Sequence, residues 1–528
     1  MSDKDNLDYF SSQHYIHSTT TTAVNTPSEI PTYNKLEDTS ADPPVIPDLT
    51  LATTSGSVEF ERLTIRLVCS CFVYFLCGWG DGGTVLPYFE LDFHLTTMTS
   101  SLCYATQTVG FALGTILVER VMKLFGQFWL LDEERSYLPA IPALRRLIPN
   151  RFLSPRKSSG VGYSEAKSRL ITLLVSSMIH PCFFIILGLS RRFSDLLIAY
   201  ALVGFARSLM TGKNAYVAST PSKGLGIILG FWSSGSFLAP LVCQTIMATG
   251  VPWRHFYLGS LVLSGINIAF LIWAFRPTVN EFEADKKAAI DTIKSALASE
   301  TTVAGTASEG KEDASKSESF HAPQPANTLA LACRMPYQWA FSVFSGLYNG
   351  SETTMSAFIV TFLLGARAAN PSTVGYAGSG FWGGMAVSRF LWGYFTPKLT
   401  YTQRKHIIHG CTSVAFLMSL LILLIHSDTE NSFGAAIVGL VYGPIYPASL
   451  GLSTEVLPRE VHMVAMAINS AMASFASALM PFIAGVILTD FGVKNLIYMT
   501  MAQGAAMTVL WALFPSSPPS RVSSSSNA

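Results

Sequence analysis

A few polar residues stand inside long apolar runs, and these are the residues that could do chemistry. Asp81 lies among glycines in FLCGWGDGG, Arg207 in LLIAYALVGFARSLM, Glu352 beside Asn349 in GLYNGSETTM, and Arg389 in GGMAVSRFLWG. An ionised carboxylate at the centre of a bilayer costs about 2.5–3.5 kcal/mol on insertion scales. A protonated carboxyl avoids much of that cost, which suits Asp81 and Glu352 to carry a proton. Asp81 could equally cap a helix break near the outer surface. Arginine does not deprotonate in proteins, so Arg207 needs a counter-ion or a water-filled cavity. It could pair with Asp81, bind a substrate carboxylate or tie two helices together.

Uncharged candidates accompany them. Asn214, Asn349 and Gln107 could hydrogen-bond a solute or only join helices. Trp79 and Trp232 could stack on a ring or serve as packing. Tyr442 and Tyr446 flank Gly443-Pro444, a pair that breaks backbone hydrogen bonding and suits a hinge or a cavity wall. There is no Gly-x-x-x-x-Gly-Lys-Ser/Thr loop, no His-Glu-x-x-His and no cluster of metal ligands. The sequence therefore offers no ATP-driven engine, implies no cofactor or metal, and brings together no catalytic cluster of an enzyme.

The elements that must position these residues follow from hydropathy. Of the 528 residues, 49% are hydrophobic but only 13% charged, about half the roughly 25% charge of a soluble domain. Net charge is +1, which gives no basis for binding nucleic acid. Apolar stretches of about 20 residues, each able to cross a bilayer core of about 30 Å, recur along the chain. They fall near 64–86, 98–121, 170–190, 195–218, 224–248, 254–275, 336–362, 373–396, 406–426, 433–455, 461–488 and 493–514. The expected fold is an all-α membrane protein of twelve transmembrane helices. The eight cysteines mostly sit inside these runs and read as free thiols.

Polar segments set the domains. Residues 1–62 and 516–528 read as disordered tails, and 277–334 as a linker dividing the spans six and six. No secretory signal precedes the first span, which then acts as the insertion signal. Residues 130–167 form a basic, proline-containing connection that reads as an inserted loop or a membrane-surface segment. Lys and Arg gather there, after the sixth span and after the eighth. PYFELDFHLTTMT (87–99) and HSDTENS (426–432) have none. Both termini and the long loops are thus expected in the cytoplasm, with Arg191-Arg192 the exception to that pattern. The halves also match weakly. GWGDGG (78–83) aligns with GLYNGS (346–351), and SGSFLAP (234–240) with SFASALMP (474–481), as a duplicated six-helix unit would leave.

Several blocks resemble one known family. FLCGWGDGGTVLPYFELDFHL (75–95), GFARSLMTGKNAYVAS (204–219), LGFWSSGSFLAPL (229–241) and GSETTMSAFIVTFLL (350–364) carry the likeness in the first seven spans. GSGFWGGMAVSRFLWGYF (378–395), GLVYGPIYPASLGLSTEVLP (439–458) and HMVAMAINSAMASFASALMPFIAG (462–485) continue it. The chain resembles the major facilitator superfamily over residues 64–515. Within it, the likeness is to fungal members similar to fucose permeases and bypass-of-stop-codon proteins. The resemblance implies two six-helix bundles, 63–276 and 335–515, around a central cavity, with alternating access by rocking of the halves. It also implies helix 1 and helix 7 acids, Asp81 and Glu352, as proton sites. Arg207, Asn214, Trp79, Trp232, Asn349 and Tyr442 are the candidate substrate contacts. The family's Gly-x-x-x-Asp-Arg-x-Gly-Arg gate motif is altered to GTILVERVMKLFGQ (114–127), leaving Glu119 and Arg120 as gate candidates, joined by Arg389 on helix 8. The Gly-Pro-x-x-Gly-Gly motif of drug exporters is absent. The expectation is a monomeric, proton-coupled carrier of a small polar solute, a sugar or an organic acid, in the plasma membrane rather than the vacuole. An efflux carrier and a non-transporting sensor are the alternatives.

Overall fold

In lipid the backbone must satisfy its own hydrogen bonds, so apolar runs of this length fold as helices. The structure, a computed structural model, describes residues 63–80, 85–131, 158–211, 224–288, 328–458 and 461–515. Asp81, Asn214 and most of the two long connections lie outside the described residues, as do both tails. In chain order the elements are α1 (Leu63–Trp79), α2 (Leu86–Phe93), α3 (Thr97–Gly126), β1 (Gln127–Leu131), β2 (Ser158–Tyr163), α4 (Glu165–Leu189) and α5 (Phe193–Thr211). Then come α6 (Gly224–Ala248), α7 (Trp253–Gly259), α8 (Leu261–Phe275), α9 (Thr328–Arg334), α10 (Pro336–Arg367) and α11 (Gly375–Phe395). The last are α12 (Tyr401–Leu424), α13 (Asp428–Tyr442), α14 (Ile445–Val456), α15 (His462–Phe491) and α16 (Asn495–Ala512).

Among the described residues, eight helical stretches are long and apolar enough to cross a membrane. Their outer faces carry bare apolar side chains, such as Ile116, Val109, Val262 and Phe433, each about two-thirds exposed or more. So much apolar surface is untenable in water and ordinary in lipid. The chain is an integral, multi-pass membrane protein. Helix starts follow local sequence. Thr96, Ser164 and Ser427 accept hydrogen bonds from the first-turn amides of α3, α4 and α13, and Thr400 with Gln403 forms a capping box on α12. Gly443-Pro444 separates α13 from α14, because Pro444 brings no N–H to the helix.

The fold is not wholly helical. β1 pairs antiparallel with β2, joining the two ends of the long connection between α3 and α4. Phe128, Trp129, Val161 and Tyr163 favour the extended state. The amide of Ser164 donates to the carbonyl of Gly126 at 2.9 Å, so α4 starts at the foot of α3. A helical segment at 279–288 then folds back on this end. Arg66 reaches Glu281 at 2.5 and 2.7 Å through both terminal nitrogens, and Ser164 Oγ donates to Asp285 at 2.5 Å.

Packing repeats along the chain. α3 lies against α5 as α11 lies against α13, and α1 against α6 as α10 against α15. Two further pairs, α6 with α11 and α3 with α15, join the N-terminal helices to the C-terminal ones.

Candidate functional site

A cavity of about 430 Å³ opens where those two joining pairs meet. Its wall takes Tyr74 from α1, Tyr104 and Gln107 from α3, Arg207 from α5 and Trp232 from α6. From the other half come Asn349 and Glu352 of α10, Trp382 and Arg389 of α11, Tyr446 of α14 and Ser470, Ser474 and Ser477 of α15. Five residues singled out from sequence therefore converge here: Arg207, Trp232, Asn349, Glu352 and Arg389. Gln107 and Tyr446 join them.

Arg389 is the hub. It is 3% exposed. Its Nη2 lies 3.3 and 3.4 Å from the two oxygens of Glu352 and 3.4 Å from the Tyr348 hydroxyl. Its Nη1 donates to Ser233 Oγ at 2.7 Å and to the Leu229 carbonyl at 3.5 Å, both on α6. One guanidinium thus bridges the two halves of the chain. Expected at the gate, Arg389 is placed in the cavity wall beside Glu352. The acid is walled by phenols. The Tyr348 ring stacks on Tyr446 with centroids 6.1 Å apart and meets Tyr442 edge-on at 5.6 Å.

Arg207 is buried, with its guanidinium carbon 5.6 Å from the centre of the Trp232 ring. A side-chain carbon on Gly80 would come 2.6 Å from its Nη2. Arg207 therefore occupies the end of α1, just where the sequence runs on to Asp81. Asn349 turns its amide back to the Ser345 carbonyl at 2.7 Å, which leaves its side-chain oxygen for other partners.

Other candidates lie elsewhere. Trp79 is not in the cavity wall; its Nε1 donates to Ser260 Oγ at 2.8 Å and its ring stacks on Phe256. Tyr442 is buried behind the wall, its hydroxyl 2.7 Å from Ser351 Oγ, where it braces the turn that carries Glu352. Arg120 is exposed on α3, and the side chain of Glu119 is outside the described residues. Sequence reading passed over the Ser470, Ser474, Ser477 row, though its helical spacing on one face was there to be read.

Further along α6, beyond the cavity, the two halves are tied together. The buried Gln244 of α6 donates through Nε2 to the carbonyls of Pro371 and Ser372 at 3.0 and 2.8 Å, in the loop before α11. The Tyr88 hydroxyl of α2 lies 3.3 Å from Gln244 Oε1 and 3.2 Å from the Pro371 carbonyl. On the other joining pair, the amide of Met98 donates to Thr489 Oγ1 at 3.0 Å.

The arrangement of paired helices around a shared cavity is that of known structures. The E. coli fucose:proton symporter FucP superposes with a TM-score of 0.52 at 11% identity, covering 85% of this chain and 98% of that one. A bacterial homologue of the human lysosomal transporter Spinster, inward-facing and occupied, gives 0.51 at 12%, covering 85% and 96%. The chain has the major facilitator fold. Sequence agrees with geometry: residues 343–528 match the Major Facilitator Superfamily family model. Bypass of stop codon protein 6 of Saccharomyces cerevisiae is 22% identical over 460 residues, 85% of this chain and 82% of that protein. The resemblance to major facilitators thus runs through both halves.

Proposed function

We infer that this major facilitator is a secondary active transporter of a small polar solute, a sugar or an organic acid, driven by protons and working by alternating access. Two six-helix bundles, 63–276 and 335–515, would rock about the α6–α11 and α3–α15 pairs, with 277–334 as the cytoplasmic linker and both termini inside. The proposed setting is the plasma membrane, with the monomer as the working unit. One observation carries this reading: a cavity walled by both halves holds a carboxylate, Glu352, against an arginine that also grips the opposite half. Adding a proton to Glu352 removes the charge that holds Arg389 on α10. Protonation and the bond between halves are then linked through one side chain. Asp81 is the second proposed proton site. Arg207, Trp232 and Asn349 of the cavity wall are the proposed substrate contacts, together with Asn214. Glu119 and Arg120 are proposed to brace the inner gate.

The reaction class is facilitated movement of an unchanged solute, which needs no catalytic group. Proteoliposomes with an internal pH dye, screened with sugars and organic acids, test it. The expected result is solute-dependent proton entry that Glu352→Gln and Asp81→Asn abolish. Unaltered gradient dependence in both variants would overturn the proton assignment.

A further inference from the structure

We propose that Arg389 is an anion receptor, and that a substrate carboxylate takes the place of Glu352 on it once Glu352 is protonated. This rests on the transport reading and names its substrate class: a monocarboxylate with an apolar or aromatic body.

The geometry of the two buried ion pairs shows why. Arg66 holds Glu281 with both terminal nitrogens, at 2.5 and 2.7 Å, the fork-to-carboxylate match that guanidinium favours. Arg389 holds Glu352 with Nη2 alone, at 3.3 and 3.4 Å, because its Nη1 is committed to Ser233 and Leu229. Its Nε is buried and finds no hydrogen-bond partner among the described residues. Nε and Nη2 form one edge of the planar fork, spaced to receive both oxygens of a carboxylate. In Arg389 that edge makes only long contacts, all through Nη2, to the two Glu352 oxygens and the Tyr348 hydroxyl, where it can carry two short ones. A buried donor left unpaired is costly, and an incoming carboxylate removes the cost.

The surroundings suit the rest of such a solute. Trp232, Trp382, Tyr74, Tyr104, Tyr446 and Phe111 line the cavity. Arg207 adds a second cation on the opposite wall. Among the described lining residues, two arginines face one carboxylate.

The step balances in charge. One proton enters and bonds to a Glu352 oxygen, and the carboxylate becomes neutral. One monoanion then docks on Arg389, so the cavity charge is what it was before. Transport of one proton with one monoanion is electroneutral. Glu352 faces Arg389 of α11, Tyr348 of its own helix, Tyr442 of α13, Tyr446 of α14 and, across the cavity, Arg207 of α5. Among these described groups Glu352 is the one carboxylate, and the exchanged proton is placed on it.

The test is calorimetric titration of the full chain in lipid nanodiscs with two acid–amide pairs, benzoate with benzamide and hexanoate with hexanamide. At pH 5.5 at least one acid is expected to bind ten times more tightly than its amide, with affinity falling as pH rises to 7.5. Glu352→Gln should flatten that pH dependence while keeping the preference for the acid. Arg389→Lys, which keeps the charge but loses the fork, should weaken acid binding tenfold or more while melting near the wild-type temperature. The acid–amide comparison on the unaltered protein decides even if a variant fails to fold. Amides binding as well as acids, no acid of the set binding, or a pH dependence that survives Glu352→Gln would overturn the proposal. Flux separates it from the transport reading. Acid binding without any proton-driven flux sinks transport and keeps the receptor. Proton-driven flux of neutral solutes alone does the reverse.

Discussion

At the crossing of α3 and α5, two helices touch backbone to backbone, and glycine makes this possible. A side-chain carbon on Gly110 would fall on the carbonyl oxygen of Ala201, 2.8 Å from its carbon and 3.1 Å from its Cα. Gly204 faces the Gln107 carbonyl in the same way, from the other helix. Carbon contacts settle at about 3.5–4.0 Å, so Gly110→Ala forces the helices apart by about 0.7 Å or more. Overpacking of this kind costs about 1–3 kcal/mol, and the better helix propensity of alanine returns up to about 1 kcal/mol. The net expected loss is about 0–3 kcal/mol for Gly110→Ala, and larger for Gly110→Leu. Gly265 on α8 is the control, since nothing lies within 4 Å of its missing side chain. Gly265→Ala keeps the propensity gain and meets no wedge. Thermal melting in detergent, followed by tryptophan fluorescence, should rank Gly265→Ala at or above the parent, then Gly110→Ala, then Gly110→Leu. Gly110→Ala with Gly204→Ala should lose less than the sum, because both open the same gap. A Gly110→Leu protein that melts like the parent would refute the reasoning.

Two further outcomes follow from contacts away from the cavity floor. Gln244→Leu removes two hydrogen bonds to the loop before α11, each worth about 0.5–1.5 kcal/mol. The two halves should part there more often, and a cysteine at Gln107 should label from that side on the order of ten times faster; an unchanged labelling rate would show that Gln244 does not hold the closure. At the other end, burial pushes the Glu281 carboxyl up, but the hydrogen bonds from Arg66 and from Thr278 outweigh it and hold the group below the usual carboxylate range. A depressed folded value adds stability above the unfolded value of about 4.3, and that stability is lost as pH falls through the folded one. Glu281→Gln should therefore melt lower than the parent at pH 7, with the gap closing only below about pH 4; a gap that is constant down to pH 3 would place the loss elsewhere.

Hydropathy alone located most helices, because in lipid an apolar run has few alternatives. The expected 224–248 coincides with α6, 336–362 falls within α10, and 461–488 starts one residue before α15. What it could not show was interruption. The helix of the first span ends at Trp79, and the tenth span is divided at Gly443-Pro444. The strands at the edges of the 130–167 connection were missed because their pairing joins residues about 30 positions apart. The same distance problem governs the site. Glu352 and Arg389 were each legible as lone charges in apolar helices, but their pairing spans two helices, and counting residues from the end of its span put Arg389 at the gate.

The weak repeat seen in sequence becomes specific in the packing. Gly110 meets the carbonyl of Ala201, and Gly204 that of Gln107; Gly384 meets the carbonyl of Ala436, and Gly439 that of Phe381. One turn on, Gly114 sits against Ser208, and Gly443 against Ser388. The α3–α5 and α11–α13 crossings are thus the same crossing, in the same register, with the glycine and serine exchanged between helices at the last step. The chemistry placed on this shared frame differs. Three residues beyond Gly204 stands Arg207, and three beyond Gly439 stands Tyr442, a phenol that braces Ser351. Five beyond Gly384 stands Arg389, and five beyond Gly110 stands Thr115, whose hydroxyl returns to its own helix at Phe111. Backbone contact fixes the small residues in both halves, while the side chains next to them are free to diverge. Each half therefore brings its arginine into the cavity from a different helix, α5 in one and α11 in the other. That offset lets Arg389 reach across to Ser233 on α6, a contact with no counterpart at Thr115, and it makes the C-terminal half the one that couples a carboxylate to the joint between the halves.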